Sequence, residues 1–187
     1  KSAGVLLDLA YPWGAHQRLA FVADFSLDDA SLDDAPHATT AEATRHAVRF
    51  AFTDEFTLAS NRLILSPMVE FHVLRDSATL VGPLHGTASP SSSREAVAAR
   101  FGVAVRVLPA LTLRANVART FRAPNLTELF GNQGGLIGNA TLSPETGATG
   151  DAGLRVAWPP NDESAPPKFS AALEAAYFRG VTENLIQ

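Results

Sequence analysis

From Leu111 to Ala118 the chain alternates one for one, with Leu111, Leu113, Ala115 and Val117 set against Thr112, Arg114, Asn116 and Ala118. A period of two sends successive side chains to opposite faces of an extended backbone, so this segment reads as a strand with one apolar and one polar face. The rhythm recurs along the chain. Val5, Leu7, Leu9 and Tyr11 share a face, and Leu19, Phe21, Ala23, Phe25 and Leu27 share one after a turn over Pro12 to Gln17. Val48, Phe50 and Phe52 follow with even parity in 45–53; Leu63, Leu65, Pro67, Val69, Phe71 and Val73 follow with odd parity in 62–75. Phe101, Val103, Val105 and Val107 mark another strand, then Leu154, Val156 and Trp158, then Phe169, Ala171, Leu173, Ala175 and Tyr177 in 168–179. Eight consecutive antiparallel strands between residues 3 and 179 are the expectation, an all-β chain. Pro67 has no N–H to donate and predicts a bulge or a locally lost ladder bond. Ala96 to Arg100 could pass for a helical turn, but the alternation that runs on to Val107 favours strand.

The connections carry a second pattern. They are short after Tyr11, Thr53 and Leu108, with Pro109-Ala110 the tightest, and long after Leu27, Arg75 and Thr120. Asp28 to Thr44 reads as an acidic loop, Asp76 to Glu95 as a second loop, and roughly 27 Gly-, Asn- and Pro-rich residues after Thr120 exceed what a compact domain leaves without regular structure. Strands of about nine to eleven residues joined alternately by short turns and long loops match a transmembrane β-barrel of the outer-membrane type. Tyr11, Trp13, Phe56 and Trp158 fall at short-turn ends, where amphipathic rings suit a head-group layer. Arg75, Arg119 and Arg179 fall on the apolar parity at long-loop ends, placed to reach lipopolysaccharide phosphates bidentately.

Composition narrows the function classes. The chain has 187 residues, 46% of them hydrophobic and 18% charged, with a net charge of -4. A mildly acidic chain without a basic stripe lacks the electrostatic footprint for nucleic acid. No cysteine is present, so disulfides and thiolate chemistry are excluded together. No apolar run approaches the roughly 18 to 20 residues of a spanning helix, so a membrane would be crossed by strands. His16, His37, His46, His72 and His85 show no metal-ligand spacing, and Asp33, Asp34 and His37 come without a nucleophile or oxyanion device. Neither an enzyme nor a cofactor is indicated. Lys1 is no initiator and the end looks cut short, so the chain reads as a fragment.

Thr120-Phe-Arg-Ala-Pro-Asn-Leu-Thr-Glu-Leu-Phe130, then Asn139-Ala-Thr-Leu-Ser-Pro-Glu145, then Gly153-Leu-Arg155 resemble, in that order and spacing, the barrel of the TonB-dependent outer-membrane receptors. Ala140 departs from the proline common there, and Met68-Val-Glu70 replaces the usual Gly-Leu-Arg after Leu63 to Pro67. The resemblance implies about eight strands of a larger barrel of about 22 strands with a plugged lumen. It further implies a single barrel domain over 1–187, with the plug domain and energy-coupling segment upstream of Lys1. The implied function is energy-coupled uptake of a scarce nutrient, such as an iron-siderophore complex or cobalamin, across the bacterial outer membrane. The implied partners are outer-membrane lipid and lipopolysaccharide, a small-molecule ligand such as a metal chelate, and an inner-membrane energy-coupling protein acting through the plug. Arg122, Asn125, Glu128, Asn132 and Gln133, the polar side chains of the family-like loop, are candidates to line the ligand path. Periodicity alone leaves open a self-contained eight-stranded barrel, or a soluble sandwich with the apolar face turned inward.

Overall fold

The computed structural model describes residues 1–34, 39–82, 86–131, 138–159 and 169–184. They form one antiparallel sheet in which sequence neighbours pair in space: β1 (Ser2–Trp13), β2 (Gln17–Asp34), β3 (Thr39–Leu58), β4 (Leu63–Gly82), β6 (Ser91–Leu108), β7 (Leu111–Arg122), β8 (Glu145–Trp158) and β9 (Ala171–Glu183). β5 (Gly86–Ala88) is a short extra strand on β4, so the described sheet has nine strands where eight were expected. Among the described residues no helix is long and apolar enough to cross a membrane.

Alternation is kept through every pairing. Val5 lies opposite Phe25, Phe25 opposite Val48, Phe50 opposite Phe71, Phe71 opposite Val97, Phe101 opposite Val117, and Leu113 opposite Leu154. All these residues share one face, and it is open: Val5 is 70% exposed, Phe71 44% and Tyr177 72%. The buried strand side chains lie on the opposite face, although Arg114, Arg155 and Glu174 of that face stay about half exposed. Ala43, Ala51, Leu74, Asp76, Ala78, Arg94, Ala98 and Ala157 all belong to it, and none exceeds 9% exposure. Crowding on one face and splay on the other mean that the sheet curves around its polar side. Two glycines of β8 agree: a Cβ at Gly153, on the crowded face, would stand 2.7 Å from the Ala175 carbonyl oxygen, whereas at Gly150, on the open face, the nearest atom would be 3.6 Å away.

Two expected loops are largely strand. β2 and β3 stay paired from Asp28↔Arg45 out to Asp34↔Thr39, and β4 continues past Arg75 to Gly82, pairing with β6 as far as Ser77↔Ser91. The ladder outlasts the pattern because beyond the apolar band the outward face no longer has to be apolar. Backbone pairing then needs no alternation, and cross-strand pairs such as Asp28 opposite Arg45 support it. Around Pro67 the register holds at Thr53↔Met68 and Phe56↔Leu65 while the two pairs between are missing, which is a lost ladder segment and not a bulge. The β1–β2 turn carries Gly14 at φ 69, and the β3–β4 turn runs through Ala59, Ser60 and Asn61, all left-handed. Lys168 lies outside the described residues, and the last strand begins at Ala171.

The sheet splits at one place. β7 pairs with β6 only up to Arg119↔Ala99, although β6 continues to Ser91 beside β4, and β7 stays with β8 up to Arg122↔Glu145. Beyond the split the chain crosses the concave face. It forms α1 (Leu126–Phe130), where unbroken loop was expected, and its Leu129 and Phe130 pack on Ala43 of β3 and Ala78 of β4.

Candidate functional site

The crossing segment is shaped from its own sequence first. Asn125 is the N-cap of α1: its side-chain oxygen accepts from the Glu128 N–H at 2.7 Å, and Glu128 Oε2 accepts from the Asn125 N–H at 2.7 Å. This reciprocal capping box satisfies two donors that a helix start leaves orphaned. Arg122 grips the same Glu128 through two bonds, Nη2 to Oε1 at 2.7 Å and Nη1 to Oε2 at 3.2 Å, and its Nε lies 3.8 Å from Glu145. Three of the five sequence candidates, Arg122, Asn125 and Glu128, are therefore brought together; Asn132 and Gln133 lie outside the described residues.

The segment is fixed to the wall by residues that sequence reasoning placed in loops or left aside. The Asp76 carboxylate, wholly buried, takes Arg45 Nε at 2.6 Å, Arg45 Nη2 at 3.1 Å and Arg94 Nη1 at 2.9 Å. Each guanidinium also donates to the crossing chain: Arg45 Nη2 to the Pro124 carbonyl, Arg94 Nε to Leu142 O at 3.0 Å, and Arg94 Nη2 to Ala140 O at 2.9 Å. A buried carboxylate would be costly alone; here charge-assisted bonds on both oxygens compensate it. One signal was available in the sequence. Arg45 has the parity of Arg49, and Asp76 that of Glu70 and His72, so continuing the alternation outward places them on the polar face.

Lower on the concave face, polar side chains pair. Arg49 Nη2 lies 3.5 Å from Asp24 and Asn116 donates to Asp151 at 2.9 Å across strands, while His72 Nε2 lies 3.1 Å from Glu70 two residues away on β4. Glu174 receives both Arg114 at 3.1 Å and Arg155 at 3.3 Å. The His72 ring meets Phe121 edge-on, with centroids 4.4 Å apart, where β7 turns inward. Beside it is a hollow of about 350 Å³ lined by Glu70, His72, Arg100, Thr120 and Phe121. No group of three or more potential metal ligands occurs among the described residues. On the convex face Tyr11, Trp13 and Trp158 are 65%, 63% and 62% exposed at the short-turn ends. Arg75, Arg119 and Arg179 are exposed on the same face.

A family model described as TonB dependent receptor-like, beta-barrel matches residues 1–187. The chain belongs to the TonB-dependent receptor barrel family. Among solved structures, the siderophore receptor PirA from Pseudomonas aeruginosa is similar, at 14% identity and a TM-score of 0.38; the alignment covers 96% of this chain and 45% of PirA. No curated protein matches the chain. The family's barrels are outer-membrane receptors and transporters, not enzymes. In a TonB-dependent receptor barrel the exposed apolar face is the lipid side and the concave polar face the lumen side. The crossing segment, entered from the long-loop end, then lies on the lumen side of the wall.

Proposed function

We propose that this chain forms part of the wall and outer mouth of a transporter that takes up a scarce nutrient, such as an iron-siderophore complex or cobalamin, across the bacterial outer membrane. The observation that carries the reading is the inverted sheet: large apolar side chains such as Val5, Phe25, Phe52, Phe71 and Tyr177 splay outward at 44–72% exposure, while the buried strand side chains and the charged pairs lie on the concave side. Such a face is stable only against lipid or a large apolar partner. Transport in this reading involves no covalent chemistry. A metal chelate enters past the inward-folded segment, binds between wall and plug, and is released inward when an inner-membrane protein acts on the plug. Lipid and lipopolysaccharide surround the wall, with Arg75, Arg119 and Arg179 reaching the phosphate layer from its outer rim.

Of the loop candidates, Arg122 keeps half its side chain exposed and borders the solute path, while Asn125 and Glu128 shape the segment that Asn132 and Gln133 extend. The full-length protein, expressed in a strain lacking its own copy, should fractionate with outer membranes, require detergent for extraction, and restore uptake of one chelate only while the inner-membrane energy source is intact. Uptake that persists without that energy source, or recovery in the soluble periplasm, would overturn the reading.

A further inference from the structure

We infer that the two described arms of the crossing segment, 123–131 and 138–144, form an inward-docked strap latched on Asp76, which holds the outer mouth of the lumen narrowed before any solute arrives. The inference rests on the lumen assignment just proposed and adds a conformational device to it. Its basis is the division of labour within each arginine. Arg94 spends Nη1 on Asp76 and turns Nε and Nη2 to Leu142 and Ala140; Arg45 spends Nε on Asp76 and shares Nη2 between it and Pro124. One edge of each guanidinium faces the wall and the other faces the strap. The hydrogen bonds of the buried carboxylate go to Arg45 and Arg94, and through them it orients the two groups that hold the strap.

The remaining contacts are equally local. Leu129 and Phe130 sit on Ala43 and Ala78, with Leu80 the one large wall side chain packed against the cluster among the described residues. The two arms are tied to each other by the Asn139 N–H on the Glu128 carbonyl at 3.0 Å. α1 is a single turn, too short to be stable without its docking. The β4–β6 ladder runs on beneath the strap with continuous register from Ser77↔Ser91 to Leu63↔Val105, so the wall's pairing there does not need the strap. The structure thus separates a self-sufficient wall from a segment that one buried carboxylate keeps in place.

The test uses the full-length protein in cells, cysteine-free apart from Ala140→Cys, a half-buried reporter on the strap's second arm, and a membrane-impermeant maleimide added outside. The parent should label slowly. Asp76→Asn should label faster by about tenfold or more, because both guanidinium groups lose their charged acceptor, with surface level and heat-modifiable barrel unchanged. The double variant Asp76→Leu, Arg94→Met removes the buried pair without leaving an orphan charge in its core, and should label at least as fast. Equal labelling rates in fully assembled variants would overturn the strap, as would fast labelling of the parent. Failure of both variants to assemble would overturn it too, because the latch would then belong to the wall. Faster labelling without any energy-coupled uptake would leave the strap standing and defeat the transport reading.

Discussion

The lipid-belt part of the wall and its long-loop end, the proposed outer mouth, are built on different rules. In the belt, each residue's environment follows from parity alone: Leu113 faces out because Arg114 faces in, and the register carries this across β6, β7, β8 and β9. In the mouth, position is set by contacts between residues far apart in sequence, such as Arg45 with Pro124, 79 residues away, and Arg94 with Leu142, 48 away. The belt is therefore redundant, since many similar pairs share the work. The mouth is concentrated in one carboxylate and two guanidinium groups.

The largest effect should fall where the structure is least redundant. Asp76→Ala strands two guanidinium groups, of which Arg94 is only 6% exposed in its side chain, and breaking such a buried pair costs about 3–5 kcal/mol. Loss of the mouth's protease resistance at unchanged assembly, read as the free energy of local opening, measures it. A change below about 1 kcal/mol in that opening would mean that the pair is solvated and would erase the contrast with the belt.

The belt is broken by parity and not by position. Ala152 and Thr149 stand three residues apart on β8, Ala152 outward between Ala115 and Tyr177, Thr149 inward between Ala118 and Gly180. Ala152→Arg puts a cation on the lipid side and should cost about 2–4 kcal/mol near mid-depth, whereas Thr149→Arg should be nearly neutral. Folding yield into lipid vesicles gives the ordering. The reverse order would turn the sheet inside out and restore the soluble sandwich as an architecture.

What was legible in the sequence follows the same division. Strand existence, parity and the outward aromatics Tyr11, Trp13 and Trp158 could be read because half-burial against lipid forces a period of two. The outer halves of β2, β3 and β4 could not be read, because 28–34 and 76–82 lack the continuous alternation of the belt, and the apolar seat at Ala43, Ala78 and Leu80 is buried by the distant Leu129 and Phe130. In the mouth, Arg122, Asn125 and Glu128 were found as polar members of one stretch. Their mutual capping box was present in the Asn125 to Glu128 spacing, yet it was absorbed into an expectation of loop. Arg45, Asp76 and Arg94 were missed because their convergence depends on β7 leaving β6 at Arg119, and no local pattern announces that split.

A smaller effect is expected where the belt's curvature meets its inner crowding. Gly153→Val brings a side chain against the Ala175 carbonyl oxygen, where a Cβ alone would stand at 2.7 Å, and against Ala176 at 3.0 Å. β8 and β9 must then shift, at about 1–3 kcal/mol, while Gly150→Ala on the open face should be tolerated within about 0.5 kcal/mol. Thermal loss of the heat-modifiable band separates the two. Equal sensitivity would mean that curvature does not decide which face is crowded.

The smallest stability effect belongs to Arg122 and Glu128, and it is the most informative about function. Arg122 is 50% exposed and Glu128 22%, so solvent screening leaves their ion pair worth no more than about 1 kcal/mol despite its two-bond geometry. Glu128→Gln keeps an oxygen for the Asn125 N–H and so preserves the capping box, and Arg122→Ala leaves that box untouched. Neither change should alter assembly, and a double-mutant cycle on stability should show coupling below about 1 kcal/mol. If Arg122 borders the solute path, Arg122→Ala should weaken uptake well beyond that coupling while Glu128→Gln leaves uptake near the parent's. Equal and small losses in both variants would assign the pair to shaping the mouth, and the solute's contacts would then have to be sought deeper, around Glu70, His72 and Arg100.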